Sequence, residues 1–148
     1  MPYYYLSLGS NIEPAKNIAA ALERLRTDFG NLHVFPVVRT EPTAMSSARS
    51  FLNTLAVIQS HLDAGALKAY FNALEESAGR DRSDPDRSVK DRQLDIDILT
   101  ESSVLDFELF KAFDEPYTQS CVEALHDDRD TVTLHIHNQP IGHALVRL

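Results

Sequence analysis

Residues 90–102 read KDRQLDIDILTES, and the centre of this stretch alternates between apolar and acidic residues with the period of a β-strand. One face of this strand is apolar and consists of Leu94, Ile96 and Ile98. Asp95 and Asp97 share the opposite face, although strand interiors are poor in aspartate and neighbouring anions repel each other. The pattern predicts a strand with one buried face, and it leaves the two carboxylates to be explained.

Two carboxylates at positions i and i+2 of a strand have Cα atoms about 6.7 Å apart and point the same way. Both can therefore reach one hard cation or bracket a pair of them. Mg²⁺ prefers oxygen ligands and is usually held by one or two carboxylates together with substrate phosphates. The alternative is a solvated outer face without a metal, and for the strand taken alone this is the slightly preferred interpretation.

The segment before this strand, residues 80–92, is polar and rich in cations for a chain with a formal charge of −8. These cations are Arg80, Arg82, Arg87, Lys90 and Arg92. Arginine forks bind phosphate oxygens while carboxylates hold a metal, so the loop and the strand together suit a polyphosphate–metal complex. Four aspartates are interleaved with the cations, and a solvated, self-neutralising loop is the other interpretation.

Hydrophobic periodicity along the chain predicts the element order β-α-β-β-α-β. The first helix begins near Pro14, and the second begins at an Asp63 cap and ends at Gly79. Residues 104–128 are ambiguous and partly helical. This order is the ferredoxin-like arrangement, an α+β fold with helices on one face of an antiparallel sheet. The predicted strands are residues 3–8, 32–39 (with an edge position or bulge at Pro36), 51–60, the aspartate-bearing strand and 131–137.

The length and composition predict a single domain spanning residues 1–148. The acidic charge argues against a broadly basic nucleic-acid-binding surface. No apolar run approaches the roughly 20 residues of a membrane span and no signal-peptide pattern opens the sequence, so we expect a cytoplasmic protein without nucleic-acid or membrane partners. The single cysteine, Cys121, cannot form an internal disulfide and is predicted to be a small buried hydrophobe.

Two further patterns carry weaker signals. Gly9-Ser10-Asn11 is predicted to form a turn, and the amides of such a turn can contact an anion. Because it lacks the P-loop pattern, a turn without a ligand is the preferred interpretation. His135 and His137 share a predicted strand face without a third metal ligand at suitable spacing, so an exposed polar face is the preferred interpretation.

Five stretches of the sequence recur together in one known family. The two most specific are the Gly-Arg-x-Arg sequence that starts at Gly79 and the Arg-x-Leu-Asp-x-Asp-Ile-Leu sequence that starts at Arg92. The other three precede them in the chain and read LSLGSNIEPAKNIAAALERL, RTEP and SFLNTLAVI. Over residues 3–100 the chain resembles the 6-hydroxymethyl-7,8-dihydropterin pyrophosphokinases, enzymes of the folate pathway.

This resemblance implies a three-layer α-β-α sandwich built on the ferredoxin-like core. It also implies transfer of the terminal pyrophosphate of ATP, the co-substrate, to the hydroxymethyl oxygen of the pterin, with release of AMP. In the family two Mg²⁺ ions bridge the triphosphate, and the aspartates that hold them match Asp95 and Asp97. Arg82 and Arg92 match residues that act with the aspartates in catalysis, and Arg80 matches a further phosphate ligand.

The resemblance also implies a set of binding residues. Asn72 and Glu75 match residues that face the nucleotide, and Ile98 matches a residue that lines the adenine site. A planar pterin needs a stacking surface and a matched amide. The pterin side is implied to consist of the loop contacts Thr40 and Thr43, the aromatic wall Phe51 and the amide of Asn53. The implied partners are small molecules only, and the implied oligomeric state is a monomer.

After residue 100 the sequence departs from the family pattern. The family continues with Leu-Tyr-Gly, a His-Pro or His-Tyr step, an arginine and an aromatic residue that stacks on the other face of the pterin. Here the nearest counterpart is Phe113-Asp114-Glu115-Pro116-Tyr117, which has neither His nor Arg. Phe113 and Tyr117 are the candidates for the stacking position. A related enzyme acting on another alcohol and a non-catalytic nucleotide- or pterin-binding module therefore stay open as alternatives.

Overall fold

The computed structural model describes residues 1–40, 50–79 and 93–148. Within these ranges the element order follows the predicted β-α-β-β-α-β pattern and continues into a C-terminal extension. The strands are β1 (Tyr3–Ser10), β2 (His33–Val34), β3 (Val38–Thr40), β4 (Phe51–Gln59), β5 (Asp95–Ser102), β6 (Leu134–Ile136), β7 (Gln139–Ile141) and β8 (Val146–Arg147). The helices are α1 (Pro14–Phe29), α2 (Ala64–Ser77), a 3-10 helix (Phe107–Ala112) and α3 (Pro116–Glu123).

The main sheet is six-stranded and antiparallel, and β1 lies inside it. The strand order is β5-β1-β4-β2-β8, and β3 also pairs with β4. The strands β6 and β7 form a separate two-stranded sheet. Both helices of the β-α-β-β-α-β unit pack on one face of the main sheet, which confirms the predicted ferredoxin-like α+β core.

The two faces of the sheet bury different cores. On one face, alternate side chains of β1 and β4 pack against the apolar stripes of α1 and α2. On the other face, Tyr5 and Leu55 pack against Phe110 of the 3-10 helix and Cys121 of α3. The molecule is therefore an α-β-α sandwich, and Cys121 is the buried hydrophobe that the sequence predicts.

The local signals at the helix ends work as predicted. Pro14 opens α1, where the missing amide hydrogen costs nothing. The Asp63 side chain caps α2 by accepting a hydrogen bond from the backbone amide of Ala66, with the donor and acceptor 2.8 Å apart. Gly79 follows the end of α2 with φ +110°, a conformation that favours glycine.

Three strand predictions need correction. The stretch 32–39 is two short strands, because the Pro36 region adds one residue between the pairing of Val34 with Ala56 and that of Val38 with Asn53, which is the predicted bulge. Strand β1 runs to Ser10, so Gly9 belongs to the sheet and not to a turn. The stretch 131–137 contains only the three-residue β6, because the backbone turns with positive φ at His137.

In the described ranges, every helix is too short or too polar to span a bilayer. The predicted cytoplasmic location stays a prediction.

Candidate functional site

The register of the sheet places the two aspartates beside the glycine of β1. Gly9 lies opposite Asp95 on β5 and opposite Asn53 on β4, and Ser7 lies opposite Asp97. Residues directly opposite on adjacent strands project from the same face. Because Leu6 and Leu8 fill the core beneath α1 and α2, these polar residues all project from the face that carries α3.

Because Gly9 has no side chain, the Asn53 amide lies close over the backbone of β1. A Cβ atom at Gly9 would lie 2.8 Å from Oδ1 of Asn53 and 3.8 Å from the ring of Phe51. Adjacent strands are about 4.8 Å apart, so Asp95 and Asn53 are separated by about 10 Å across the glycine. We call this strip of the sheet face, with Gly9 as its floor and Asn53 and Asp95 on its two sides, the trough.

One side of the trough is an oriented amide. Asn53 is 7% exposed, and its Nδ2 donates a hydrogen bond to Oγ1 of Thr40, 2.5 Å away. Its Oδ1 therefore lies over Gly9. Phe51 is half-buried and pairs with Thr40 in the register of β3 and β4. The three described residues of the predicted pterin side are thus neighbours in space.

The opposite side of the trough is the pair of aspartates. Asp95 is half-buried and Asp97 is exposed. In the described parts of the chain, no group of three or more His, Cys, Asp or Glu residues is placed to hold a metal, and this includes the region of His135 and His137. Two carboxylates on one strand face, open to solvent, fit Mg²⁺, which takes its remaining ligands from phosphates and water.

A side chain from α2 contacts the backbone between the aspartates. Glu75 is 1% exposed, and its Oε2 accepts a hydrogen bond from the amide of Ile96, 2.8 Å away. Asn72 is half-buried on the same helix, and Ile98 is half-buried against the core beneath α1 and α2. The nucleotide roles of Asn72, Glu75 and Ile98 stay predictions, and the structure adds a backbone contact for Glu75.

Four predicted site residues lie outside the described residues: Arg80, Arg82 and Arg92 of the cationic loop, and Thr43. Their phosphate and pterin roles rest on the sequence alone.

A cavity of about 450 Å³ adjoins the trough at Thr40. Tyr117 lines this cavity, and Phe113 is not one of the described residues that line it. Asp127 also lines the cavity, and hydrogen bonds from Arg129 hold the pKa of its carboxyl group below the usual value. Of the two candidates for a second aromatic wall, Tyr117 is the one that the fold brings to the same cavity as Thr40.

The trough therefore has an amide, Asn53, on one side and two carboxylates, Asp95 and Asp97, on the other. A family model of 7,8-dihydro-6-hydroxymethylpterin-pyrophosphokinases matches residues 5–127. The chain belongs to this family. Proteins from two strains of Porphyromonas gingivalis, both named 2-amino-4-hydroxy-6-hydroxymethyldihydropteridine pyrophosphokinase, are each 36% identical to it over 104 residues, which cover 69% of this chain and 71% of the relative.

Two features of the site were missed by the sequence analysis. The first is Gly9, which the sequence pattern places in a predicted turn, although a glycine inside a strand pattern is itself a signal of close approach. The second is the contact between Glu75 and Ile96. Its signal was the helical spacing of Leu67, Phe71 and Glu75, which places the carboxylate on the buried face of α2.

Proposed function

We propose that the protein transfers pyrophosphate from ATP to the hydroxymethyl group of 6-hydroxymethyl-7,8-dihydropterin in a Mg²⁺-dependent reaction that releases AMP. The observation that carries this proposal is the register that sets Asn53 and Asp95 on opposite sides of Gly9. The family membership and the names of the relatives support the same reaction.

The trough suits a flat bicyclic heterocycle with a reactive substituent at one end. The donor-rich edge of the pterin meets the Asn53 amide, whose Oδ1 lies over Gly9, and the ring extends from this amide toward β5. The hydroxymethyl group then points toward Asp95 and Asp97. Phe51 forms the aromatic wall against one face of the ring, where an aromatic side chain adds stacking energy.

In the reaction, the hydroxyl oxygen of the pterin forms a bond to the β-phosphorus of ATP, and the bond from that phosphorus to the oxygen bridging to the α-phosphorus breaks. AMP leaves with that oxygen. Asp95 and Asp97 would hold Mg²⁺, two ions in the proposal, and the bound metal would neutralise charge on the triphosphate. The hydroxyl proton passes to a carboxylate of the pair, and we assign this role to Asp97, which is the more exposed of the two.

The other proposed residues act on the nucleotide. Arg82 and Arg92 stabilise charge on the transferred group, and Arg80 holds a further phosphate. Asn72, Glu75 and Ile98 form the nucleoside side of the site. These assignments follow the sequence motifs.

The test is an assay of the purified protein with ATP, Mg²⁺ and 6-hydroxymethyl-7,8-dihydropterin, in which AMP and pterin diphosphate are both quantified. The proposal expects equal amounts of the two products and no activity after addition of EDTA. ADP as the product would instead establish simple phosphoryl transfer. Binding of pterin or ATP without turnover, in a folded protein with saturating substrates, would establish a binding module and overturn the catalytic proposal.

We further propose that the protein acts as a cytoplasmic monomer on small molecules only. Light scattering coupled to size-exclusion chromatography tests the monomer, and a mass of twice 16.6 kDa would contradict it.

A further inference from the structure

A second cavity lies on the α3 face of the sheet, at the end of β1 opposite the trough. Its volume is about 220 Å³, and the residues that line it include Tyr3, His33, Val57, Leu105 and Arg147. Tyr3 and Gly9 are at opposite ends of β1, so this cavity lies about 20 Å from the floor of the trough. None of the described residues that line it carries a carboxylate side chain.

The strand register brings two basic side chains together in this cavity. His33 on β2 lies opposite Arg147 on β8 and opposite Val57 on β4. Residues directly opposite on adjacent strands project from the same face. The His33 ring packs edge-on against Phe107, with ring centroids 5.3 Å apart. His33 and Arg147 therefore both project from the face that carries the 3-10 helix.

The apolar wall of the cavity is Leu105, and Tyr5 fixes its position. The Tyr5 hydroxyl donates a hydrogen bond to the backbone oxygen of Val104, 3.1 Å away, and accepts one from the amide of Asp106, 2.8 Å away. The backbone on both sides of Leu105 is thus tied to β1. Val57 is fully buried in the same cluster, so the apolar side of the cavity is held in place by the fold itself.

The positive charge of the cavity is not compensated within the described parts of the chain. Arg147 is exposed, and neither its side chain nor that of His33 has a hydrogen bond or an ion pair with another described residue. Burial and the nearby Arg147 guanidinium both lower the pKa of His33. The two basic groups repel each other, and an anion placed between them would remove this repulsion.

We propose that this cavity binds a small carboxylate whose apolar body is about one ring in size. The guanidinium fork of Arg147 matches the two oxygens of a carboxylate, and the apolar body packs against Val57, Leu105 and the ring of Tyr3. Pockets for drug-sized ligands have volumes of about 300–1,000 Å³, so a cavity of about 220 Å³ fits a smaller acid. The site is separate from the proposed reaction in the trough.

The two basic groups fix the sign of the pH dependence. Protonated His33 supplies a second positive charge beside Arg147, so the carboxylate binds more tightly as the pH falls from about 8 to about 5. By linkage, the bound carboxylate raises the pKa of His33.

The other ionisable groups near His33 do not change this sign. On the sheet they are Arg147 and the Tyr3 hydroxyl. On the 3-10 helix they are Asp106, whose carboxylate accepts a hydrogen bond from the Glu108 amide, and Glu108, which pairs with Lys111. Asp106 and Glu108 are exposed and do not line the cavity.

The test is a titration of the full chain with benzoate, followed through the His33 ring resonances in NMR spectra, which His33→Gln identifies. We expect a dissociation constant of about 1 mM at pH 6, since a ligand of this size forms few contacts. Benzyl alcohol has the same ring without the charge, and inorganic phosphate has charge without the ring. Both are expected to bind at least about 10-fold more weakly. The midpoint of the His33 titration is expected to rise in benzoate.

Variants separate the contributions to binding. Arg147→Gln is expected to weaken benzoate binding about 10-fold or more, and to raise the pKa of His33 without ligand because the repulsion is lost. Leu105→Ala is expected to reduce the preference for benzoate over acetate. Arg24→Gln is the control, because it removes the same charge from an exposed position on α1, and it is expected to bind benzoate as wild type does.

Three results would overturn the inference. The first is benzoate binding that Arg147→Gln leaves unchanged or that ATP with Mg²⁺ displaces, because the anion is then bound elsewhere. The second is equal affinity for benzoate and inorganic phosphate, which contradicts the apolar part of the site. The third is the absence of any change in the His33 resonances at about 20 mM benzoate, far above the expected dissociation constant.

Discussion

The buried carboxylate of Glu75 accepts a hydrogen bond from the amide of Ile96, 2.8 Å away, at the residue that separates Asp95 from Asp97 on β5. Among the described strands, β5 pairs only with β1, so it forms an edge of the sheet. An edge strand exposes backbone groups that need other partners. The helix α2 supplies one of them, and it thereby fixes the backbone from which both metal-binding side chains are proposed to project.

Replacement of Glu75 tests this contact. Glu75→Ala removes the acceptor and leaves the Ile96 amide unpaired, so the free energy of unfolding is expected to fall by about 1–3 kcal/mol. Glu75→Gln keeps an oxygen that can accept the bond and is expected to lose less. Urea unfolding monitored by circular dichroism measures both values. Equal stability of Glu75→Ala and wild type would show that the contact contributes nothing to the fold.

The proposed metal-binding role of Asp95 and Asp97 predicts that replacing either residue lowers activity strongly and changes stability little. Asp95→Ala and Asp97→Ala are each expected to lower kcat about 10³-fold or more, because the triphosphate loses its charge compensation. The melting temperature is expected to change by no more than about 4 °C, since neither carboxylate lies in an apolar core.

Asp128→Ala provides the matched control for these variants. It makes the same change of charge at an exposed position outside the site and is expected to keep wild-type activity. AMP release under saturating Mg²⁺ measures the effect. Near-normal kcat in either aspartate variant contradicts the role assigned to that residue.

The floor of the trough predicts a selective defect in pterin binding. In Gly9→Ala the new Cβ would lie 2.8 Å from Oδ1 of Asn53, so the amide must move from its position. We expect the KM for the pterin to rise about 10- to 100-fold, because small misplacements of binding groups at a reacting centre have effects of this size. The KM for ATP is expected to stay nearly unchanged, because the proposed nucleoside residues Asn72, Glu75 and Ile98 lie on α2 and β5, whereas the displaced amide is on β4.

Replacement of a second glycine, away from the site, distinguishes a local effect on pterin binding from a general effect of exchanging glycine for alanine. In Gly65→Ala, on α2, the new Cβ makes an ordinary contact of 3.5 Å, so this variant is expected to keep its activity and to gain stability of about 0.5–1 kcal/mol. Steady-state kinetics with each substrate varied in turn provide the measurement. A rise of both KM values by the same factor in Gly9→Ala would indicate a distorted sheet and would argue against the trough.

The elements of the fold were predictable where their signals are local. The alternation around Asp95, the Asp63 cap and the proline that opens α1 each act within a few residues, and the structure confirms all three. The resemblance added the sandwich and the family, which a single stretch cannot supply.

Errors arose where distant segments decide the structure. Gly9 was predicted to be in a turn, yet it stays in β1 because β4 and β5 pair with it on both sides. The apolar alternation of residues 131–137 predicted a longer strand, but the backbone leaves the ladder at His137 with φ +49°. Both outcomes depend on how strands pair and on where the chain turns, and the local periodicity of the sequence determines neither of these.

The buried thiol of Cys121 predicts how stability depends on pH. Burial raises the pKa of this thiol to about 12, whereas a cysteine in an unfolded chain ionises near 8.5. The native state therefore keeps a proton that the unfolded state loses as the pH rises above about 8.5, so the free energy of unfolding falls by up to about 1.4 kcal/mol per pH unit from there to about 12. Below that range the contribution is fully present.

Cys121→Ala removes this dependence and keeps a small apolar side chain in the core. We expect the stability of wild type relative to Cys121→Ala, measured by urea unfolding, to decrease by about 1–2 kcal/mol between pH 8 and pH 10. A thiol reagent is expected to modify wild type only after unfolding, because Cys121 is 0% exposed. Parallel pH profiles for the two proteins, or rapid modification of the native protein, would show that the thiol is in contact with solvent and that α3 does not seal this side of the sheet.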